Sequence, residues 1–274
     1  MILTTITPYW GRPEALRIWM RAIDGATVPG VRHLIFFVGE SPPDWFRLRY
    51  SYATHIQAEV FLGERGGDKS IAYWHTLGAR LSSSKWIMKM DVDALPNVRY
   101  FRELLPILRG AREREWFNGG MVYATQGFSQ SHLKEEQMPL TESTYTHLMN
   151  LRHLHCTCSK GPEATNFICR REDYLALGGG DSRFRGWGWE DYQQIYMLER
   201  YWRQSDPLPG EVTLANITHR CRLEISQPKA RELWQRNPWL VLLHRHHPKV
   251  NGTYRSFERQ NREILLDYIS HHRS

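Results

Sequence analysis

The chain has 274 residues and a mass of 32.4 kDa, enough for one large domain or two small ones. With 41% hydrophobic and 24% charged residues it has the composition of a folded globular protein, which excludes a disordered, collagen-like or disulfide-scaffold chain. The 36 Lys+Arg against 29 Asp+Glu leave a formal charge of +7, an excess that favours an anionic partner such as a nucleotide, a nucleic acid or a membrane surface.

From the start of the chain, strand and helix signals alternate. Ile2–Thr7 is rich in β-branched residues and reads as a buried strand stopping at Pro8. Pro13 suits the first turn of a helix that carries Leu16, Trp19, Met20 and Ile23 at helical spacing. A second strand is expected at His33–Val38 and a weaker third at Val60–Leu62, before the Gly66–Gly67 pair. Ile71 to Leu81 has a helical pattern, and Trp86–Met90 is a strand running into Asp91-Val92-Asp93. From Gly110 to Pro162 no period is convincing, so that region reads as an insertion or a mobile loop over a site.

Beyond it, a strand is expected at Ala164–Arg170 and a short helix at Asp173–Leu177. A longer helix spans Glu190 to Trp202, a strand Leu240–Leu243, and a last helix Phe257 to His271. Alternating strands and helices imply an α/β domain with a mainly parallel central sheet, whose ligands collect at the strands' carboxyl ends. Cys156, Cys158, Cys169 and Cys221 fit no usual zinc spacing, even with His153 and His155 nearby, and read as free thiols. No stretch approaches the roughly 18–20 apolar residues of a membrane span. The opening MILTTITPYWGRP lacks the basic region of a signal peptide, so a cytoplasmic enzyme is expected.

Three clusters carry chemistry. Asp91 and Asp93, at the end of a strand, can turn toward one cation; hard oxygen ligands suit Mg2+ or Mn2+, though a solvated acidic turn has the same look. In Gly178-Gly179-Gly180-Asp181 through Gly186-Trp187-Gly188-Trp189-Glu190-Asp191, glycines flank Trp187 and leave its indole free to stack on a sugar ring. Glu190 and Asp191 then offer a hydrogen-bond acceptor and a general base, or simply an acidic helix start. Last, His244, His246 and His247 follow an apolar run; imidazoles ligate Mn2+ as well as Zn2+, and also cluster on surfaces without any ion.

In this order the motifs resemble those of inverting glycosyltransferases of the GT-A fold, above all the β-1,4-galactosyltransferase type and the related bacterial chondroitin polymerase domains. The shared pattern is a DVD followed by proline and a segment ending W-G-x-E-D, and the likeness runs from about residue 2 to 250. It implies a single Rossmann-like GT-A domain over 1–274, with a nucleotide-sugar half (1–100), an acceptor and catalytic half (164–250) and a C-terminal helix (251–274).

It also implies transfer of a hexose-type sugar from a UDP-sugar to an acceptor hydroxyl, with Mn2+ or Mg2+. By resemblance, Asp93 is a metal ligand, Asp91 lies by the ribose or the metal, and His244 or His247 completes the shell. Asp191 is the base and Glu190 holds a sugar hydroxyl. Thr7, Pro8, Tyr9 and Arg12 belong to the nucleotide-binding loop, and Lys69 precedes the helix along the diphosphate.

Departures stand at Gly39-Glu40-Ser41, where relatives carry an acidic pair against uracil, at Gly180 in place of Phe, and at Trp189 in place of a small residue. Two rivals remain: the same chemistry on a hydroxylated base in DNA, which the excess of Arg (29 of the 36 cations) would serve, and a non-enzymatic sugar-binding protein stacking on Trp187 and Trp189.

Overall fold

The computed structural model describes residues 1–9, 11–39, 41–46, 70–112, 115–118, 120–158, 167–186, 188–203, 237–247 and 257–271. The expected strand at 60–62, Lys69 and Trp187 lie outside the described residues.

Strand β1 (Leu3–Tyr9) is buried along its whole length and pairs in parallel with β2 (Val31–Phe37) and β3 (Trp86–Lys89). It does not stop at Pro8 as its sequence suggests. The Ile6 carbonyl accepts the amide of Met90 at the end of β3, so the donor that Pro8 lacks, two residues on, points past the neighbouring strand. Helix α1 (Pro13–Ala26) buries Leu16, Trp19, Met20 and Ile23 against the sheet, following the sequence period.

Helix α2 (Ile71–Leu81) is capped by the Ser70 side chain, which accepts from the Tyr73 amide. It lies tight on β1, since a Cβ at Gly78 would fall 2.5 Å from the Ile6 side chain. One face of the sheet thus packs Ile6, Leu34, Phe36 and Ile87 with Trp74 and Ala79 of α2.

The middle of the chain corrects the expectation of an insertion or mobile loop. Strand β4 (Ala94–Leu95) leads to α3 (Tyr100–Gly110), then β5 (Phe117–Asn118), β6 (Gly120–Ala124), α4 (Gln126–His132), α5 (Glu142–His155) and β7 (Cys156–Cys158). These strands are two to five residues long, too short for a period to show. Strand β8 (Phe167–Arg170) leads into α6 (Arg171–Ala176), followed by α7 (Glu190–Arg203), β9 (Val241–His244) and α8 (Glu258–His271).

The strands form two sheets. The central one has the order β2-β1-β3-β8-β5. Because β8 is antiparallel to both β3 and β5, four of its five strands run the same way. The fold is therefore mixed α/β with a mostly parallel central sheet. The second sheet has the order β4-β9-β6-β7. Its β4–β9 pairing sets Ala94 opposite His244, which brings a strand from late in the chain to the carboxyl end of β3.

Candidate active site at the carboxyl end of β3

The chain turns just beyond β3, where the Ala94 amide donates to the Asp91 carbonyl, and this turn separates two groups of polar residues. Lys89 follows Ile87 on the face that packs against α2. It is only 2% exposed, and its ammonium is ion-paired with Asp191 at the start of α7. Burial pulls the Lys89 pKa down, but the charges of Asp191, Asp91 and Glu190 outweigh it and the net shift is upward. Nearby, burial and then the charge of Lys89 drive the His75 pKa well down, so that imidazole is neutral.

Glu190 is fully buried, and no hydrogen bond of good geometry reaches either carboxylate oxygen. Burial, then the charge of Asp191, push its pKa up to about 8, against Lys89 and the backbone amides of Glu190 and Gly188. The Glu190 carboxyl is thus pushed toward its uncharged form beside the Lys89–Asp191 ion pair.

The backbone delivers these acids through an unusual turn. Trp189 has φ +69°, the left-handed region that side-chain-bearing residues avoid. Its ring packs 5.4 Å from that of Tyr192. Upstream, Asn261 of α8 accepts the Arg185 amide at 3.0 Å and donates to its carbonyl at 2.6 Å. Arg183 joins Asp181 to Asp267. Gly180, where the resembled family has Phe, lies flat on α2: a Cβ there would come 2.4 Å from that of Ala72. Its amide donates to Thr76 Oγ1 at 2.8 Å.

The second group faces β9. Asp93, 2% exposed, accepts the Arg245 amide on its backbone carbonyl, and its side chain lies near His244 and His247. One ligand atom from each of these three lies within 4.8 Å of the others. His247 Nε2 is 3.6 Å from Asp93 Oδ2, and Arg12 donates to that same oxygen. Asp93 Oδ1 is buried with no hydrogen bond. His244 lies 4.5 Å, ring to ring, from Tyr123, its cross-strand neighbour on β6. Burial first, with His247 and Arg12 adding and Asp93 opposing, brings the His244 pKa down to about 4. A neutral imidazole keeps the lone pair a metal needs.

Asp91 stands between the groups and outside the three-residue set. Burial raises its pKa to about 6, with Lys89 and Arg12 opposing and Asp191 and Asp93 reinforcing. Thr7, Pro8 and Tyr9 are buried at the end of β1, and Thr7 Oγ1 has no hydrogen bond.

Sequence reasoning passed over Lys89, although a lysine inside the apolar run Trp86-Ile87-Met88-Lys89-Met90 is itself a signal. A buried ammonium needs an acid, and the sequence has acids two and four residues on.

No protein-family model matches the chain, and no curated protein does either. Among solved structures it is similar to a mycobacterial protein, at 10% identity and a TM-score of 0.52 over 98% of this chain and 75% of that one. A mannosyltransferase from Pyrobaculum calidifontis in complex with GDP-Man and Mn2+ gives 12% identity and a TM-score of 0.49, over 98% of this chain but 63% of the other. Glucosyl-3-phosphoglycerate synthase from Mycobacterium tuberculosis, in complex with Mn2+, UDP-Glc and phosphoglyceric acid, gives 12% and 0.45 over 74% and 67%. The chain spans less than two thirds of the mannosyltransferase's length. At these identities the likeness is one of fold. Among the described residues no helix is long and apolar enough to cross a membrane.

Proposed function

We propose that the chain is a metal-dependent glycosyltransferase that moves a hexose-type sugar from a UDP-sugar to an acceptor hydroxyl with inversion. The observation that carries this reading is one juxtaposition. A three-residue ligand set and an acidic pair at a helix start lie on either side of the same strand end, linked through Asp91. Carboxyl ends of parallel strands are where such folds hold nucleotides.

The residues fit a divalent ion. A buried carboxylate oxygen without a partner and a neutral imidazole are a hard and a borderline donor, a set that Mn2+ accepts and Mg2+ accepts less readily. Asp93, with His244 and His247 both eligible, would hold the ion. When bound, it offsets the charge of a departing nucleoside diphosphate.

The rest falls to the chain's own side chains. Arg12 and the end of β1 line the donor's side of the strand end, with Lys69 assigned by the family likeness and the Trp187 indole by its flanking glycines. Asp191 takes the proton of the acceptor hydroxyl as its oxygen attacks the anomeric carbon, and the nucleoside diphosphate leaves from the opposite face. Glu190, by the family likeness, holds a sugar hydroxyl. In this reading residues 1–100 bind the donor and 164–250 the acceptor, and helix α8, in the C-terminal part 251–274, braces the catalytic loop within one domain. The acceptor group is a hydroxyl, and the Arg excess alone speaks for a nucleic-acid carrier of it.

Thermal unfolding with a panel of nucleotide sugars, each with and without Mn2+, tests the assignment. A ligand that binds only the folded state raises the melting temperature. UDP-sugars should do so only with Mn2+, and no rise with any donor would refute the reading.

A further inference from the structure

Arg12 and the ligand set compete for one carboxylate. Asp93 is almost wholly buried, and a buried carboxylate without a counter-charge is costly. The cation nearest to it is the Arg12 guanidinium, bonded to the oxygen that also faces His247. Arg12 is 32% exposed at the rim, at the turn into α1, so its head can leave Asp93 without crossing the core. A guanidinium and a divalent ion on one carboxylate repel each other.

We propose that Arg12 is a stand-in cation. It holds Asp93 while the ion is absent, and when the ion binds it is displaced toward the phosphates of the donor. The inference rests on the glycosyltransferase reading for the donor, and on the Asp93–His244–His247 set for the ion. The planar fork that pairs with a carboxylate pairs equally well with a phosphate, so the released side chain has a second anionic partner waiting. Arg12 thus ties ion entry to donor capture: the ion frees the arginine, and the donor's phosphates keep it from returning.

The test is a calorimetric titration of Mn2+ alone into the full chain and into Arg12→Gln, with His244→Ala as the site control. The Arg12→Gln chain should bind Mn2+ roughly fivefold more tightly than the wild type, the size of a partly exposed ion pair worth about 1 kcal/mol. In the presence of Mn2+ it should bind UDP more weakly. Melting curves give a second reading. Without metal, Arg12→Gln should melt lower than the wild type, and Mn2+ should raise its melting temperature by more. Equal or weaker Mn2+ binding by Arg12→Gln overturns the stand-in role and leaves the ion site intact. Absence of Mn2+ binding in both chains overturns the ion site and the proposal with it.

Discussion

On the α2 side of the strand end, three carboxyl groups share a lysine that is 2% exposed; on the β9 side, one carboxylate leans on an arginine that is about a third exposed. Lys89 is part of a central strand and cannot leave without opening the core. Arg12 sits at a rim turn and can. A fixed internal cation suits a group that must keep its charge and aim through every turnover. A detachable one suits a site that trades its counter-charge. The same problem, acids withdrawn from water, is solved once for permanence and once for exchange.

Three changes probe this division. The largest effect is expected from Asp191→Asn, which removes the proposed proton acceptor but not the donor's side of the site. Transfer should fall by roughly two to four orders of magnitude, while Mn2+ and UDP bind as before in calorimetry. A parallel loss of UDP affinity would show that the two sides are not separable.

Next is Lys89→Met, which keeps the length of the side chain and deletes the internal charge. Stripping one partner from a buried pair costs about 3–5 kcal/mol, and chemical denaturation should show a loss of that size. A loss below about 1 kcal/mol would mean that the acids are solvated and that the ion pair is incidental.

The smallest and most discriminating change is Glu190→Gln, read as melting temperature against pH without metal. A carboxyl whose folded pKa of about 8 lies above its ordinary 4.5 binds more protons folded than unfolded, so stability falls as pH rises through that interval. Asp91, raised from 3.8 to about 6, has the same sign over a lower range. His244 runs the other way. With its pKa lowered from 6.5 to about 4, the unfolded chain binds more protons between those values and stability rises with pH there. Glu190→Gln should therefore remove a decline of at most about 1.4 kcal/mol per pH unit between pH 4.5 and 8, which above pH 6.5 stands clear of the opposing His244 rise. It should leave the His244 rise below pH 6.5 in place. An unchanged slope between pH 6.5 and 8 would contradict the raised pKa of Glu190.

Much of this architecture is legible in the residues. Helix α2 begins and ends where its apolar spacing says, and β1, α1 and β3 differ from expectation by a residue or two at their ends. Residues 91, 93, 190, 191, 244 and 247 stand out by type and spacing, and the fold brings them to one strand end. What stays hidden has physical causes. Strands of two or three residues such as β4, β5 and β7 are defined by their partners and leave no period of their own. Helix α5 buries Tyr145, Leu148 and Met149 along a mostly polar length, too sparse a stripe to announce a helix. The pairing of Lys89 with Asp191 is a tertiary fact that neither local sequence contains. Asp91 illustrates the converse: the spacing in Asp91-Val92-Asp93 invites a shared ion, but the chain leaves β3 and turns there, the Ala94 amide donating to the Asp91 carbonyl, and the two side chains meet different company.

The alignment of Ala94 with His244 also bears on how the ends of the chain are held together. Side chains alternate along a strand, so a slip of one residue in β9 would turn His244 away from Asp93. An ion gripped by both would therefore act as a removable cross-link between the first half of the molecule and β9. Unlike a disulfide, it would close the loop only when the register is right, and so would proofread the join.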